Sequence, residues 1–219
     1  FKLKIMLYGK IKGVDKKLSK IILGNDNQRR YSKAIKLWDH YFDKGGNTFD
    51  NSIYYKEGLL ETFLGNWIKS RKIEKEIVVI SKAGNEQTQP KDISYFIKKT
   101  LDRLKLDFLD IFILHHDNEN IPPGEFVDVL NEQVNLGLIK SFGASNWRRE
   151  RFEKSIIWSK KNNKIPFAIL NNNLSLAKMK HPLWGDCVSS NSEEYLNFLS
   201  INNQTHFSWS SQARGFFIE

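Results

Sequence analysis

Four residues whose side chains can hold or move a proton stand at or just past the ends of apolar, strand-like runs. Lys82 closes Ile77-Val78-Val79-Ile80-Ser81-Lys82, Asp50 closes Asn47-Thr48-Phe49-Asp50, and His115 closes Asp110-Ile111-Phe112-Ile113-Leu114-His115. Tyr55 follows Asp50 by five residues in the next loop, with Tyr54 beside it as the alternative phenol. An ammonium, a carboxylate, an imidazole and a phenol together make an acid–base set. If the strands that carry them are parallel neighbours, the four meet on one rim, which is where barrels of alternating strands and helices keep their chemistry.

The rest of the chain supplies that alternation. Ser19 to Leu23 is the first strand candidate, after a lysine-rich opening that reads as a small hairpin turning at Gly9 or Gly13. Ile35, Trp38, Tyr41 and Phe42 recur at helical spacing before Gly45-Gly46 stops the helix. A second amphipathic helix carries Leu60, Phe63, Leu64, Trp67 and Ile68. Asp92 reads as the N-cap of a third, with Ile93, Phe96, Ile97, Leu101 and Leu104 on its stripe. Pro122-Pro123 opens a fourth and Gly137 ends it. Beyond lie a fifth strand at 139–144, a helix at 149–161, a sixth strand at 167–170, a helix at 192–200 and a seventh strand at 206–210. Seven strand–helix repeats predict a parallel sheet with right-handed crossovers, closed as a barrel in preference to an open doubly wound sheet. An eighth strand is missing from the pattern.

At 219 residues with 40% hydrophobic side chains the chain can bury one sizeable core, so one globular domain is expected. Its net charge of +9 comes mostly from lysines scattered on helix faces. Arg148, Arg149 and Arg151 form the one basic cluster, which is too little to expect a nucleic-acid partner. A single cysteine, Cys187, excludes an internal disulfide framework and a cysteine-rich metal site and fits a reducing, cytoplasmic setting. No apolar run approaches the roughly 20 residues of a membrane span. His115 and His116 are not expected to chelate a metal, because neighbours on a strand point to opposite faces. Since the chain opens on Phe1, an earlier targeting segment would be invisible.

Five stretches resemble the aldo-keto reductases, over nearly the whole chain from Ser19 to Phe217. They are Asn47 to Tyr55, Glu61-Thr62-Phe63-Leu64-Gly65, Thr100 to Asp110 with the run on to His115, Gly137 to Trp147, and Phe207 to Phe217, in the family's order and spacing. Within the family, Leu114-His115-His116-Asp117, the run from Trp147 to Arg151 and Ser175-Leu176-Ala177 resemble bacterial members of uncharacterised substrate, some joined to a second oxidoreductase domain.

The resemblance implies a (β/α)8 TIM-type barrel with its eighth βα unit missing, preceded by an extension or hairpin at 1–18 and occupying 19–219. It implies reduction of an aldehyde or ketone, sugar-like carbonyls included, with NADPH or NADH. Asp50, Tyr55, Lys82 and His115 fall on the family's catalytic tetrad. Tyr55 would be the general acid, Lys82 would lower its pKa, Asp50 would hold the lysine, and His115 would orient the carbonyl oxygen. Ser145, Asn146 and Asn171 would bind the nicotinamide carboxamide, Trp209 would stack on its ring, and Ser210, Gln212 and Arg214 would reach the pyrophosphate. Asn51, Ser52, Lys56, Leu60 and Asn171 depart from the family's usual residues, with Lys56 standing where a glycine commonly follows the tyrosine. The alternative is a non-catalytic nucleotide-binding or partner-binding module on the same fold. A chain that cannot close its barrel should expose strand edges and be dimeric or poorly soluble.

Overall fold

A computed structural model describes residues 6–218. Antiparallel β1 (Tyr8–Gly9) and β2 (Leu18–Ser19) form a hairpin. Its turn falls at Gly13, whose φ of +89° and whose closeness to the Lys140 carbonyl leave no room for a side chain. The expected first strand at 19–23 is therefore two pieces, since Ser19 belongs to the hairpin and β3 is Leu23–Gly24.

The main sheet then alternates as expected: α1 (Tyr31–Asp43), β4 (Thr48–Asp50), α2 (Leu59–Arg71), β5 (Val78–Ala83), α3 (Ile93–Leu104), β6 (Leu109–Leu114) and α4 (Pro123–Asn135). It continues through β7 (Ile139–Ser145), α5 (Arg149–Lys161), β8 (Ile169–Asn171), α6 (Glu193–Ile201) and β9 (Thr205–His206). Strands β3 to β9 form one seven-stranded sheet in sequence order. The pairs β3–β4, β4–β5, β7–β8 and β8–β9 are parallel. This is the sheet of a (β/α)8-type barrel, with no eighth strand among the described residues. Every residue of β5 and of β6 is buried, as parallel strands covered on both faces should be.

Contacts divide the chain into two compact units. The first holds the chain up to Ala83 with Ser94–Phe112 and Gln133–Ser141; the second holds Gly84–Ile93, Ile113–Glu132 and the chain from Phe142. An aromatic knot centres the first: Trp67 lies 5.6 Å from Trp38 and 5.1 Å from Phe49, ring centre to ring centre. Both indole N–H groups donate at 2.8 Å, Trp38 to Asn25 and Trp67 to Asp39, so burial leaves neither donor unpaired. Truncating Trp67 to alanine would cost about 3–5 kcal/mol. Gly65 lets α2 lie against the backbone of Leu104 at the end of α3. In the same unit Lys16, from the hairpin turn, bonds Asp110 at 2.7 Å. The second unit packs around Phe167, whose ring centre is 5.2 Å from Trp147, 5.5 Å from Phe142 and 5.7 Å from Phe152.

Three local expectations are corrected. Gln89, not Asp92, is the cap before α3; Asp92 sits three residues later in a short 3-10 turn and accepts the Gln89 N–H at 2.9 Å, closing a capping box. The seventh strand is Thr205–His206 and not 206–210. Ladder bonds run on past it, from Phe207 N–H to Leu170 at 2.9 Å and from Trp209 N–H to Asn172 at 3.3 Å, but end in one isolated bridge between Asn173 and Trp209. Since β6 stops at Leu114, His115 and His116 escape strand alternation and their rings stack, 4.7 Å apart and inclined by 27°. Among the described residues no cluster of three metal-ligating side chains occurs, and no helix is long and apolar enough to cross a membrane.

Candidate active site

Asp50 ends β4 and is registered against Ile80 of β5. The ladder continues beyond it, with Asn51 N–H donating to Ile80 at 2.9 Å and Ile53 N–H to Lys82 at 3.0 Å. That extension carries the chain over the end of β5 and brings Asp50 onto Lys82. Lys82, a residue only 2% exposed, forms an ion pair and hydrogen bond with the Asp50 carboxylate, and its ammonium lies 5.2 Å from the centre of the Tyr55 ring. Ser52 fixes the start of the loop: its hydroxyl donates to the Lys82 carbonyl at 3.0 Å and accepts the Tyr54 N–H at 3.2 Å. Tyr54 is 43% exposed, while Tyr55 turns inward and is the phenol whose ring meets Lys82.

Burial acts on all three groups against their charged forms. It would lower the Lys82 ammonium, but Asp50 and Tyr55 outweigh it and leave the lysine raised and charged. For Asp50 burial outweighs the pull of Lys82, and the net direction is upward. The Tyr55 phenol also ends above its ordinary value, because burial exceeds the lowering by Lys82. The expected contribution of Lys82 is present; the expected net lowering is not.

His115 lies in the second unit, just past β6. Its backbone carbonyl accepts the Asn146 side-chain amide at 3.2 Å. The loop that follows is tied down by Arg151 of α5, which pairs with Asp117, donates to the carbonyls of Asn118 at 2.8 Å and Ile121 at 2.6 Å, and lies 4.9 Å over the Trp147 ring. Arg149 pairs with Glu150, Glu153 and Glu194, and Arg148 with Glu119, so the basic cluster is matched by carboxylates.

In the same unit Ser145 ends β7 directly opposite Asn171 of β8. Asn146 follows in a left-handed conformation at φ +58°, its amide donating to the Ser145 hydroxyl at 3.3 Å and its oxygen accepting Val188 N–H at 3.3 Å. Hydroxyl and amides thus crowd two adjacent strand ends, a donor and acceptor set suited to a carboxamide. Asn171 is the member facing Ser145; Asn172 points its amide to the Trp147 carbonyl at 2.9 Å. Trp209 presents a flat ring stacked on Trp184, 5.9 Å apart and inclined by 13°, and its buried indole N–H has no partner among the described residues. Ser210, Ala213, Arg214 and Gly215 all have positive φ, from 49° to 88°, in one short turn that leaves Gln212 and Arg214 exposed. Such backbone concavities suit anions.

Sequence reasoning did not reveal what Arg103, Arg151 and Trp184 hold in place. Arg103 and Arg151 stood inside recognised stretches, but beside their carboxylate partners they each bond two backbone carbonyls, which no motif displays. The stacking of Trp184 depends on a long irregular loop.

A model of the aldo/keto reductase family matches residues 21–217. Norsolorinic acid reductase B of Aspergillus parasiticus is 27% identical over 127 residues, which cover 52% of this chain and 33% of that protein. The matched segment thus spans a third of the fungal protein. The crystal structure of a thermostable aldo-keto reductase, Tm1743, in complex with the inhibitor epalrestat is similar in fold, with a TM-score of 0.81 at 23% identity over 96% of this chain and 75% of that one.

Proposed function

Because the chain belongs to the aldo/keto reductase family, we propose that it reduces an aldehyde or ketone to the alcohol with a nicotinamide nucleotide, NADPH before NADH, and that Tyr55 donates the proton. One observation carries this reading: a buried lysine, ion-paired to Asp50, beside the inward-turned Tyr55.

An acid must hold its proton until it is needed. The upward net shift of Tyr55 keeps the phenol protonated at neutral pH. As the carbonyl oxygen gains negative charge, the proton passes from the phenol oxygen to it and leaves a tyrosinate. Lys82, held charged, stabilises that anion where it forms. Asp50 keeps the ammonium in place and offsets its burial. His115 is assigned the role of hydrogen-bonding the carbonyl oxygen.

When bound, the nucleotide supplies the hydride that reaches the carbonyl carbon. Ser145, Asn146 and Asn171 would hold its carboxamide, Trp209 would lie against its ring, and Ser210, Gln212 and Arg214 would meet its pyrophosphate.

The test is a tryptophan-fluorescence titration with NADPH and NADH on the parent chain and on Tyr55→Phe, with aldehyde turnover measured on both. Binding by both proteins, with turnover confined to the parent, is the expected result. Turnover by Tyr55→Phe at the parent rate would exclude Tyr55 as the acid. Binding without turnover by either protein would leave the nucleotide-binding module as the reading.

A further inference from the structure

The turn that carries Tyr55 is strained. Lys56 has φ +48°, Glu57 φ +56° and Gly58 φ +86°, three left-handed residues in succession, two of them with side chains. Such a backbone persists only where its surroundings over-determine it.

What determines it is a guanidinium. Arg103, in the last turn of α3, donates through Nη1 to the Ile53 carbonyl at 3.4 Å and through Nη2 to the Glu57 carbonyl at 2.9 Å. These two carbonyls bracket Tyr54-Tyr55-Lys56. Gly58 completes the fit, because a Cβ there would lie inside the guanidinium. Arg103 is in turn fixed by Glu61, whose side chain is fully buried. One Glu61 oxygen accepts Arg103 at 3.2 Å and the other accepts the hydroxyls of Ser81 at 2.7 Å and Thr100 at 2.9 Å. Ser81 directly precedes Lys82 on β5. The same carboxylate therefore anchors the strand that carries Lys82 and the arginine that holds the turn of Tyr55.

We propose that Arg103, anchored by Glu61, is a positioning residue that holds the turn from Ile53 to Gly58 and so keeps the Tyr55 phenol against Lys82. Its catalytic consequence rests on Tyr55 being the proton donor; the hold on the turn does not. A planar fork bonded to two carbonyls and a carboxylate at once is a task for arginine, which lysine cannot perform.

The experiment compares the parent full chain with Arg103→Met, which keeps the apolar stem and removes every donor. Trypsin cleavage after Lys56 is followed by mass spectrometry against cleavage after Lys161, at the end of α5 in the other unit. Release of the turn should raise the Lys56-to-Lys161 cleavage ratio by about tenfold. With an aromatic aldehyde and NADPH, kcat should fall by roughly 100-fold, since a displacement of about 1 Å can cost that much, while KM changes less than threefold. An unchanged ratio, or a rise at both sites together, would reduce Arg103 to an ordinary stabilising ion pair and overturn the proposal. So would a changed ratio with an unchanged kcat. If the parent shows no turnover, the reductase reading fails on its own, and the cleavage ratio still decides whether Arg103 holds the turn. Should Arg103→Met not fold, Gly58→Ala keeps Arg103 and Glu61 but forces the guanidinium off the turn, and it must give the same selective cleavage.

Discussion

The turn around Tyr55 and the turn from Ser210 to Gly215 are both built on left-handed backbone, yet they are held by different means. Buried charge holds the first: Arg103 on two of its carbonyls, Glu61 behind the arginine, and Lys82 with Asp50 beneath the phenol. Short backbone bonds hold the second, such as Ala213 N–H to Ser210 at 2.8 Å and Phe216 N–H to Ala213 at 3.0 Å, with Gln212 and Arg214 out in solvent. Ion pairs in low dielectric fix distances firmly and tolerate little change. Exposed amides and a flexible arginine fix little, but they can rearrange around an anion that arrives and leaves. Under the proposed function, the contrast matches proton chemistry to the rigid turn and ligand capture to the loose one.

The largest expected effect comes from removing the charge that lies beneath the phenol of the rigid turn. Lys82→Met should lower kcat by about 10³-fold, the upper range for removing one group that stabilises developing charge, and should leave nucleotide affinity from fluorescence titration within a factor of three. Comparable losses in both would break the division of labour. Next comes Glu61→Gln, which strands the Arg103 charge. Losing one partner of a buried pair typically costs 3–5 kcal/mol, and because Arg103 keeps 20% of its side chain in solvent, we expect a loss near the lower end, about 3 kcal/mol. Urea denaturation would measure it, and a loss below about 1 kcal/mol would mean that the carboxylate anchors nothing.

This contrast also marks how far the sequence could be read. Alternating apolar runs and helical stripes disclosed the parallel sheet because most of its strands are marked by local pattern, as with Val78 to Ala83. The positions of Asp50, Lys82 and His115 were legible for the same reason, being set by strand ends. The seventh strand was overextended because Phe207 and Trp209 look like strand residues, while only the register against β8 decides where pairing stops. What held the turns was hidden for another reason. Arg103 and Arg151 act on main-chain carbonyls, and the same fork serves in both units: Ile53 and Glu57 in one, Asn118 and Ile121 in the other. The net direction of the Tyr55 pKa was also out of reach, since it depends on how burial weighs against Lys82.

A smaller effect tests whether the second fork is as rigid as the first. Burial raises the Asp117 carboxyl to about 6 despite its pairing with Arg151. The folded state therefore holds a proton that the unfolded chain releases near pH 4. The stability tied to that proton is present below pH 4 and lost as pH rises through 6. His206, lowered to about 4 by burial, works the other way, adding stability as pH rises through 4 towards 6.5. In the parent the two oppose each other over one window. Asp117→Asn should uncover His206, so that melting temperature climbs from pH 4.5 to 7 more steeply than in the parent. The difference should be about 2 kcal/mol, given about 1.4 kcal/mol per pKa unit and some residual exposure. Parallel pH profiles for the two proteins would refute it.

The smallest effect concerns the loose region itself, and its sign is what matters. Trp184 covers one face of Trp209 in a near-parallel stack while keeping 49% of its own surface exposed. An aromatic pair of this kind is worth about 0.5–1.5 kcal/mol beyond its buried area. If the nicotinamide ring takes the face that Trp184 now covers, binding must first break that stack. Trp184→Ala would then remove the competitor and tighten NADPH binding by about three- to tenfold. If the ring takes the other face, Trp184 buttresses Trp209 and its loss weakens binding by a similar factor. The first outcome fits a region built to rearrange, because the buried indole N–H of Trp209 has no partner among the described residues in the stacked arrangement, and an arrangement that leaves a donor unsatisfied costs little to give up. Titration of Trp184→Ala beside the parent therefore reads the face of Trp209 from the direction of a modest change, and a weakening would assign the loop from Trp184 to Val188 to support instead of displacement.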